Sequence, residues 1–235
     1  MNLLVLAGGF GTRLQSVVAE VPKALAPIGS APFLFLQIEH WKAQGVRSFV
    51  FLLHHKSQVI IDFLLSQQDK LLSDCDLHWL IESAPLGSGG AVANAVNKFD
   101  LSESFLVTNA DTWLGTGMQA IASAKAPSLA VVRVPDASRF GTVIFDSERR
   151  VTNFAEKSSA NEDGWIYSGL CKLDPAIFSN WDGQPFSLEN EIFPKLAHRK
   201  YLNAITLQSD FIDIGIPNDY LRFCRWIESG RRGEL

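Results

Sequence analysis

The sequence has little cysteine, no surplus of positive charge and no long apolar run. Its three cysteines, Cys75, Cys171 and Cys224, stand far apart, and an odd, unclustered set argues against a disulfide framework and against a zinc site. The 21 basic and 25 acidic residues give a net charge of −4, whereas nucleic-acid binders usually show a basic surplus. No apolar run reaches the roughly 20 residues of a membrane-spanning helix. We therefore expect neither nucleic acid nor a membrane among the partners.

What is present is the composition of a globular protein with a sizeable core. The chain has 235 residues, of which 47% are hydrophobic and 20% charged, and this length suits one domain. Met1 and Asn2 lead directly into an apolar stretch, without the basic leader and cleavage site of a signal peptide. We expect one domain over residues 1–235, with reduced cysteines, in the cytoplasm.

Strand-like and helix-like segments alternate through the first half of the chain. Short apolar runs typical of buried strands occupy residues 3–7, 47–53, 77–82 and 104–109. Segments that we interpret as helices lie between them, at residues 32–44, 57–68 and 88–97. This alternation predicts an α/β fold, a Rossmann-like and mostly parallel sheet flanked by helices.

The pattern changes in the second half, where strands follow one another. Strand-like runs occupy residues 128–134, 142–146, 151–156 and 165–172. A helix over 187–199, a strand over 202–208 and a helix over 217–229 complete the chain. The succession predicts a strand-rich, antiparallel insert in the α/β fold.

The first strand ends in a glycine-rich loop with the sequence LAGGFGTRL. Ligands of open α/β sheets bind beyond the carboxyl ends of the strands, and Gly8, Gly9 and Gly11 let backbone N–H groups approach phosphate oxygens. Arg13 adds a guanidinium group that suits phosphate, and Lys23 follows between two prolines. The spacing matches neither the dinucleotide fingerprint nor the Walker loop. Taken alone, the loop is explained equally well as a glycine-rich turn with a surface arginine.

The extended pattern resembles the signature GGxGTRL…PKxLxPI of the sugar-1-phosphate nucleotidyltransferases, or nucleotide-sugar pyrophosphorylases. Residues 8–14 read GGFGTRL and residues 22–28 read PKALAPI. Further motifs similar to those of the family follow in order, namely PLGSGGA at 85–91, TNADTW at 108–113, FGTV at 140–143, FAEK at 154–157, SGL at 168–170 and FIDIGIPNDY at 211–220. One departure is Ala110, which stands where the family usually has glycine.

The resemblance implies transfer of a nucleoside monophosphate from an NTP to a sugar 1-phosphate, with Mg²⁺ as cofactor and pyrophosphate as the second product. It implies catalytic roles for Arg13, Lys23 and Asp111, and metal binding by Asp111 and Asp213. The nucleotide-binding residues that it implies are Leu6, Ala7, Gly8, Gly9, Gly11, Thr12, Arg13, Lys23, Glu82, Pro85, Gly87, Ser88 and Asn109. The sugar-binding residues that it implies are Asp111, Gly141, Glu156, Lys157, Ser168 and Gly169.

These residue types suit that chemistry. The attacking phosphate oxygen is already anionic, so the reaction needs positioning and charge neutralisation more than a general base. Mg²⁺ prefers oxygen ligands and often lies between one or two carboxylates and substrate phosphates, which suits Asp111 and Asp213.

We expect residues 1–127 to form a nucleotide-binding half and residues 128–235 a sugar-phosphate-binding half.

Each of these residues also has a structural explanation. Asp111 is compatible with a strand-end or helix-capping aspartate, Asp213 with a cap of the helix near Pro217, and Glu156 with Lys157 with a solvated charge pair. The chain as a whole is compatible with a catalytically silent relative that binds a nucleotide or nucleotide sugar as a regulator. A nucleic-acid nucleotidyltransferase fits less well, because the chain is acidic.

Substrate choice depends on finer features. The chain ends soon after FIDIGIPNDY, and this short form resembles bacterial guanylyltransferases of D-glycero-α-D-manno-heptose 1-phosphate, whose products serve cell-surface polysaccharides. The alternative is a uridylyltransferase acting on N-acetylmuramate, N-acetylhexosamine or hexose 1-phosphate. Glu82 precedes PLGSGGA, where the base is expected, and a carboxylate only accepts hydrogen bonds. Guanine offers adjacent N1–H and N2–H₂ donors and uracil only N3–H, so we expect GTP and the heptose. A homo-oligomer is compatible with the sequence, which does not fix the oligomeric state.

Overall fold

The computed structural model describes residues 2–155 and 162–231. The chain forms two compact units that are interleaved along the sequence. Unit 1 comprises Met1–Ala84, Asn109–Gly115 and Asp210–Leu235, and unit 2 comprises Pro85–Thr108 and Thr116–Ser209. In the described ranges, no helix has both the length and the apolar character needed to cross a membrane.

Thirteen strands and six α-helices are found in the described residues. The strands are Asn2–Leu6 (β1), Pro27–Ile28 (β2), Ala31–Pro32 (β3), Ser48–Leu53 (β4), Asp76–Ile81 (β5), Phe105–Asn109 (β6), Thr112–Leu114 (β7), Ser128–Val134 (β8), Thr142–Phe145 (β9), Val151–Ala155 (β10), Gly164–Leu173 (β11), Asn203–Leu207 (β12) and Phe211–Asp213 (β13). The α-helices are Phe33–Ala43 (α1), Ser57–Gln67 (α2), Gly87–Lys98 (α3), Met118–Ser123 (α4), Phe193–His198 (α5) and Pro217–Glu228 (α6). Short 3₁₀ turns cover Thr12–Leu14, Lys23–Leu25 and Pro175–Phe178, and a π-helical turn covers Leu188–Ile192.

Unit 1 is built on three parallel strands. β4 pairs with β1 on one side and with β5 on the other, both in parallel register. The middle of β1 and nearly all of β4 are buried, as expected for parallel strands covered on both faces. Helix α1 ends where Gly45 takes a φ of 95°, the left-handed conformation common after a helix C-terminus.

Two short strand pairs and a separate apolar cluster complete unit 1. β2 pairs with β3, and β7 pairs with β13, in both cases antiparallel. Aromatic and aliphatic side chains of the β7 and β13 region pack with those of α6, and Trp113, Ile212 and Phe223 lie at the centre of this cluster. The cluster therefore fixes the β7–β13 pair to the body of unit 1.

Unit 2 is dominated by antiparallel pairing around β11. This strand pairs antiparallel with β6, β8 and β9, and β9 continues to β10. β12 adds to β8 in parallel register. The antiparallel strands after residue 127 confirm the predicted strand-rich insert, and the mixed sheet flanked by helices confirms the predicted fold class. The predicted halves, 1–127 and 128–235, are contiguous whereas the compact units are interleaved, and the assignment of substrates to those halves stays a prediction.

Candidate active site

The glycine-rich loop follows the last residue of β1. Gly11 has a φ of 62° and precedes the 3₁₀ turn Thr12–Leu14, a backbone conformation that side-chain-bearing residues rarely adopt. A Cβ at Gly11 would also lie 3.2 Å from Cβ of Lys23, whereas a Cβ at Gly9 would have nothing within 4 Å. Gly11 is therefore needed for the backbone path, and Gly9 offers an open backbone face.

Strand pairing brings two aspartates from distant parts of the chain together. Asp213 is the last residue of β13 and pairs with Thr112, the first residue of β7. Asp111 directly precedes Thr112, and its carbonyl accepts a hydrogen bond of 3.0 Å from the N–H of Ile214. The antiparallel register therefore places the two carboxylates side by side at one end of the β7–β13 pair.

Lys23 lies between these carboxylates. Its Nζ donates to Oδ2 of Asp111 at 2.5 Å and to Oδ1 of Asp213 at 3.2 Å. The lysine belongs to the 3₁₀ turn Lys23–Leu25, which begins after Pro22. Three side chains that the sequence predicts as catalytic or metal-binding thus meet at one point, with both carboxylates directed at a single cation.

Helix α1 supports β7, the strand that directly follows Asp111. Nε2 of Gln37 donates to the Thr112 carbonyl at 2.5 Å, and Nε2 of His40 lies 3.0 Å from the Leu114 carbonyl. The His40 ring stacks on the Trp113 indole, with a centroid separation of 4.3 Å. Burial lowers the pKa of His40, so the ring stays neutral at pH 7 and acts as a packing and hydrogen-bonding group.

The glycine-rich loop, Lys23 and Asp111 line a cavity of about 350 Å³. Its lining residues, all of unit 1, are Leu6, Ala7, Gly9, Phe10, Gly11, Thr12, Arg13, Pro22, Lys23, Ala24, Ala110, Asp111 and Gly215. Arg13 is exposed at this cavity, and within residues 2–155 and 162–231 no carboxylate pairs with it. A pocket with glycine backbone, two cationic side chains and Asp111, whose partner Asp213 contacts the same lysine, is suited to a polyphosphate and a divalent cation.

The sequence reasoning missed several residues of the cavity. Phe10 is 51% exposed and occupies the variable position of the loop signature, where no rule selects it. Gly215 lies inside the matched segment FIDIGIPNDY, and this is the signal that could have identified it. A Cβ at Gly215 would lie 2.7 Å from Oδ1 of Asp213 and 2.8 Å from Nζ of Lys23. Glycine at this position therefore makes room for the lysine.

Other predicted nucleotide-binding residues of unit 1 lie outside the cavity lining. Glu82 follows β5 and is 9% exposed, and its backbone N–H donates to the Leu53 carbonyl. The backbone of Gly8 packs against His54, since a Cβ at Gly8 would lie 3.2 Å from Cβ of His54. Asn109 is the half-buried last residue of β6. Their contact with a nucleotide stays a prediction.

The segment PLGSGGA has a structural explanation within unit 2. Gly87 has a φ of 71°, and a Cβ there would lie 2.5 Å from the carbonyl oxygen of Phe186. The hydroxyl of Ser88 donates to Glu189 at 2.6 Å and accepts from the N–H of Leu188 at 2.9 Å. Pro85 is exposed just before this segment. Close backbone packing therefore accounts for Gly87, and hydrogen bonds within unit 2 account for Ser88.

Three of the predicted sugar-binding residues of unit 2 have structural contacts within the described part of the chain. The hydroxyl of Ser168 is buried and donates to the Ala130 carbonyl at 3.0 Å. Gly169 has a φ of 79° and lies where the β11–β8 register is irregular. A Cβ at Gly141 would lie 3.2 Å from the carbonyl oxygen of Ala155. Glu156 and Lys157 lie outside the described residues.

The carboxylate pair fits a divalent cation in its donor chemistry. Asp111 and Asp213 supply oxygen donors that already converge on the ammonium of Lys23. Among residues 2–155 and 162–231, no group of three or more His, Cys, Asp or Glu side chains is arranged to hold a metal. Two carboxylates suffice for Mg²⁺, which usually keeps waters and takes substrate phosphates as its further ligands.

Comparison with known proteins identifies relatives over nearly the whole chain. The profile of the nucleotidyl transferase family matches residues 2–229. D-glycero-alpha-D-manno-heptose 1-phosphate guanylyltransferase of Campylobacter jejuni is 34% identical over 228 residues, which cover 95% of this chain and 98% of that relative. Mannose-1-phosphate guanylyltransferase 1 of Arabidopsis thaliana is 32% identical over 241 residues, and 99% of this chain matches 66% of that relative.

A solved structure supports the same grouping. HddC from Yersinia pseudotuberculosis, complexed with GMP-PN, superposes with a TM-score of 0.81 at 32% identity. The superposition covers 96% of this chain and 99% of that protein. The likeness therefore extends over the fold, including both units.

Proposed function

Because this chain belongs to the nucleotidyl transferase family, we propose that it transfers GMP from GTP to D-glycero-α-D-manno-heptose 1-phosphate and releases pyrophosphate. The observation that carries the proposal is that Lys23 and Asp111 line the cavity formed by the glycine-rich loop, and that Asp213 contacts the same Lys23 ammonium. A phosphoryl-transfer site needs cationic groups and oxygen ligands for a metal at one place, and this cavity has both.

The cavity suits a triphosphate on electrostatic grounds. The open face of Gly9 permits close approach of phosphate oxygens to the backbone, while Arg13 and Lys23 supply positive charge. In the proposed reaction an oxygen of the sugar phosphate attacks the α-phosphorus of GTP, and the bond from that phosphorus to the bridging β-phosphate oxygen breaks. Arg13 and Lys23 neutralise the charge that the departing pyrophosphate carries. Lys157, which the resemblance assigns to the sugar phosphate, would steady the attacking group.

We propose Mg²⁺ as the cofactor, held by Asp111 and Asp213. When bound, the ion would supply charge neutralisation at the phosphate oxygens. The protein's own contribution is to hold the two carboxylates in place through the β7–β13 register and through Gln37 and His40. Carboxylates that are fixed before the substrate arrives lose little freedom when the metal binds.

Guanine as the base is supported by two sequence relatives and by one solved structure. The Campylobacter and Arabidopsis relatives are both named as guanylyltransferases, and the Yersinia protein is described in complex with GMP-PN. The heptose is placed first because the heptose enzyme is 34% identical to this chain and the mannose enzyme 32%. Mannose 1-phosphate is the second candidate, because the identities of the two relatives differ by little.

A matrix of substrates tests this proposal. Purified protein would be mixed with each of four NTPs and with heptose, mannose, glucose and N-acetylhexosamine 1-phosphates, with pyrophosphate release as the readout. We expect GTP with a manno-configured sugar phosphate to give the highest rate. UTP with an N-acetylated sugar phosphate as the best pair would overturn the choice of substrates but not the reaction. Folded protein that binds nucleotide but releases no pyrophosphate would instead support the regulator alternative.

Two further expectations belong to the proposal. The product, a GDP-linked heptose, would serve the synthesis of cell-surface polysaccharide. We also expect the reaction to take place in the cytoplasm.

A further inference from the structure

The position of Lys23 raises a question about how a metal reaches the carboxylate pair. Nζ of Lys23 is within hydrogen-bond distance of both Asp111 and Asp213, and its side chain is only 12% exposed. The ammonium therefore occupies the point on which the two carboxylates converge. A divalent cation held by the same two carboxylates would need that space.

The surroundings hold the ammonium in this position. Glycine at 215 leaves the room that the ammonium fills, since a Cβ there would lie 2.8 Å from Nζ of Lys23. The N–H of Gly215 also donates to Oδ1 of Asp213 at 2.7 Å, and the hydroxyl of Thr112 donates to Oδ1 of Asp111 at 3.2 Å. Each carboxylate thus has one oxygen oriented by a neighbouring group, so the pair stays converged on the lysine.

Lys23 also has a second set of partners within reach. The same side chain lines the cavity together with Gly9, Gly11 and Arg13, where the triphosphate is proposed to bind. A triphosphate carries more negative charge than one carboxylate pair, and it can accept all three N–H donors of an ammonium group. The lysine can therefore exchange two carboxylates for phosphate oxygens without leaving the cavity.

We infer that Lys23 is an exchangeable counter-ion that keeps the carboxylate pair closed to metal until a nucleoside triphosphate draws the ammonium away. Two cations repel strongly at contact distance in a partly buried site, so the ammonium and the divalent ion exclude each other. Metal binding and NTP binding become coupled as a result, and the nucleotide-free protein holds divalent cations weakly. This inference rests on the proposed function, because it takes the cavity to be the triphosphate site.

The coupling predicts a specific effect of removing the charge. Lys23→Met replaces the lysine by an uncharged side chain of similar length. The two carboxylates are then left without their counter-ion. We expect the nucleotide-free variant to bind Mn²⁺, a spectroscopic substitute for Mg²⁺, more tightly than wild type by roughly tenfold or more, within the range of coupling between sites. Free Mn²⁺ would be measured by electron paramagnetic resonance in the absence of nucleotide.

Three controls make the measurement specific. Lys70→Met removes an equal charge at an exposed position and should leave Mn²⁺ affinity unchanged. The double variant Lys23→Met/Asp111→Asn should lose the added affinity, because one of the two carboxylates is gone. Lys23→Gln provides a second neutral variant if Lys23→Met fails to fold, as judged by thermal unfolding.

The outcomes separate the inference from the proposed function. Wild-type protein that binds Mn²⁺ as tightly as the Lys23 variants would overturn the counter-ion role, even if pyrophosphate release from GTP proceeds normally. An increase in affinity that also occurs in Lys70→Met, or that survives loss of Asp111, would overturn it as well. Absence of pyrophosphate release by wild type would instead contradict the proposed function, and the Mn²⁺ comparison would still report on Lys23.

Discussion

The glycine-rich loop of unit 1 and the PLGSGGA segment of unit 2 are both rich in glycine but differ in their surroundings. A Cβ at Gly9 would meet nothing within 4 Å, whereas a Cβ at Gly87 would collide with the backbone of Phe186. Packing thus explains Gly87 in unit 2 but gives no reason for glycine at position 9 in unit 1. A motif residue that the fold itself does not need is the stronger candidate for contact with a ligand.

The same contrast holds for the polar side chains. Ser88 and Ser168 in unit 2 donate their hydroxyl hydrogens to protein acceptors, Glu189 and the Ala130 carbonyl. Arg13 in unit 1 is exposed at the cavity, and Asp111 retains a side chain that is 36% exposed. Arg13 and Asp111 thus remain accessible in unit 1, where we propose that triphosphate and metal bind, and the following predictions test that difference.

The largest effect is expected from the carboxylates. Asp111→Asn and Asp213→Asn should each lower turnover by at least about a hundredfold, the scale of losing one key electrostatic stabiliser. Folding should survive, because the amide is isosteric and both side chains reach solvent. The measurement is kcat for pyrophosphate release at saturating Mg²⁺, with thermal unfolding alongside.

The matched control is Asp69→Asn, an exposed aspartate of the same unit. It should retain wild-type turnover. Rates near wild type in either Asp111→Asn or Asp213→Asn would remove the metal assignment.

The two glycine regions can be compared directly by adding a methyl group to each. Gly87→Ala should destabilise the protein by about 1–3 kcal/mol, because the residue has a positive φ and the methyl group meets backbone. Gly9→Ala should change the free energy of unfolding by less than about 0.5 kcal/mol. It should nevertheless weaken binding of GTP, since its methyl group would project where phosphate is proposed to lie.

Denaturant unfolding and nucleotide titration of both variants separate these effects. A Gly9→Ala variant with unaltered GTP affinity would show that the open backbone face is not the phosphate site. A Gly87→Ala variant with native stability would show that the Phe186 contact is not needed by the fold.

A smaller effect is expected from Glu82, whose role in reading the base is still a prediction. If its carboxylate accepts hydrogen bonds from guanine, UTP should bind in the transition state less favourably than GTP by about 1–3 kcal/mol. This is the free-energy cost of leaving a buried polar group unsatisfied. Glu82→Gln should narrow that preference, because an amide can also donate to a pyrimidine carbonyl. The ratio of kcat/KM for GTP and UTP is the measurement. An unchanged ratio in a folded variant would assign base recognition to other groups.

The smallest effect concerns thiol reactivity and needs no substrate. Cys171 is fully buried in β11 of unit 2, and burial raises its pKa to about 12. Cys75 in unit 1 is half-buried, and burial raises its pKa as well. At about pH 8.5 a maleimide should therefore label Cys75 first and Cys171 only on unfolding, because the thiolate is the reactive form. Mass spectrometry of labelled peptides follows the order, and equal rates in the native protein would contradict the packing of β11.

The longer elements of the fold could be predicted from sequence because their signals are local. The sequence predicts the α1 and β4 segments at 32–44 and 47–53, and the structure gives Phe33–Ala43 and Ser48–Leu53. Three-residue strands have no usable periodicity, so the β7–β13 pair was not predicted. Its existence depends on tertiary pairing between segments that are distant in the chain.

Sequence motifs could select three residues that the structure brings together, but not their contacts, and the roles of these residues stay predictions. The motifs selected Lys23, Asp111 and Asp213 individually, and the structure brings all three together. No sequence rule indicates that the lysine lies between the carboxylates, because that depends on the space left by Gly215. Similarly, the packing role of Gly87 depends on Phe186, whose approach the local sequence does not encode.

The most direct test of the central claim is to follow the phosphorus atoms of GTP by ³¹P nuclear magnetic resonance. With the heptose 1-phosphate and Mg²⁺ present, the cavity of unit 1 should direct attack at the α-phosphorus. We predict that GDP-heptose and pyrophosphate appear in equal amounts, and that Asp111→Asn shows neither on the same timescale. Formation of GDP or inorganic phosphate in place of pyrophosphate, or equal product from the Asp111→Asn variant, would contradict nucleotidyl transfer at this site.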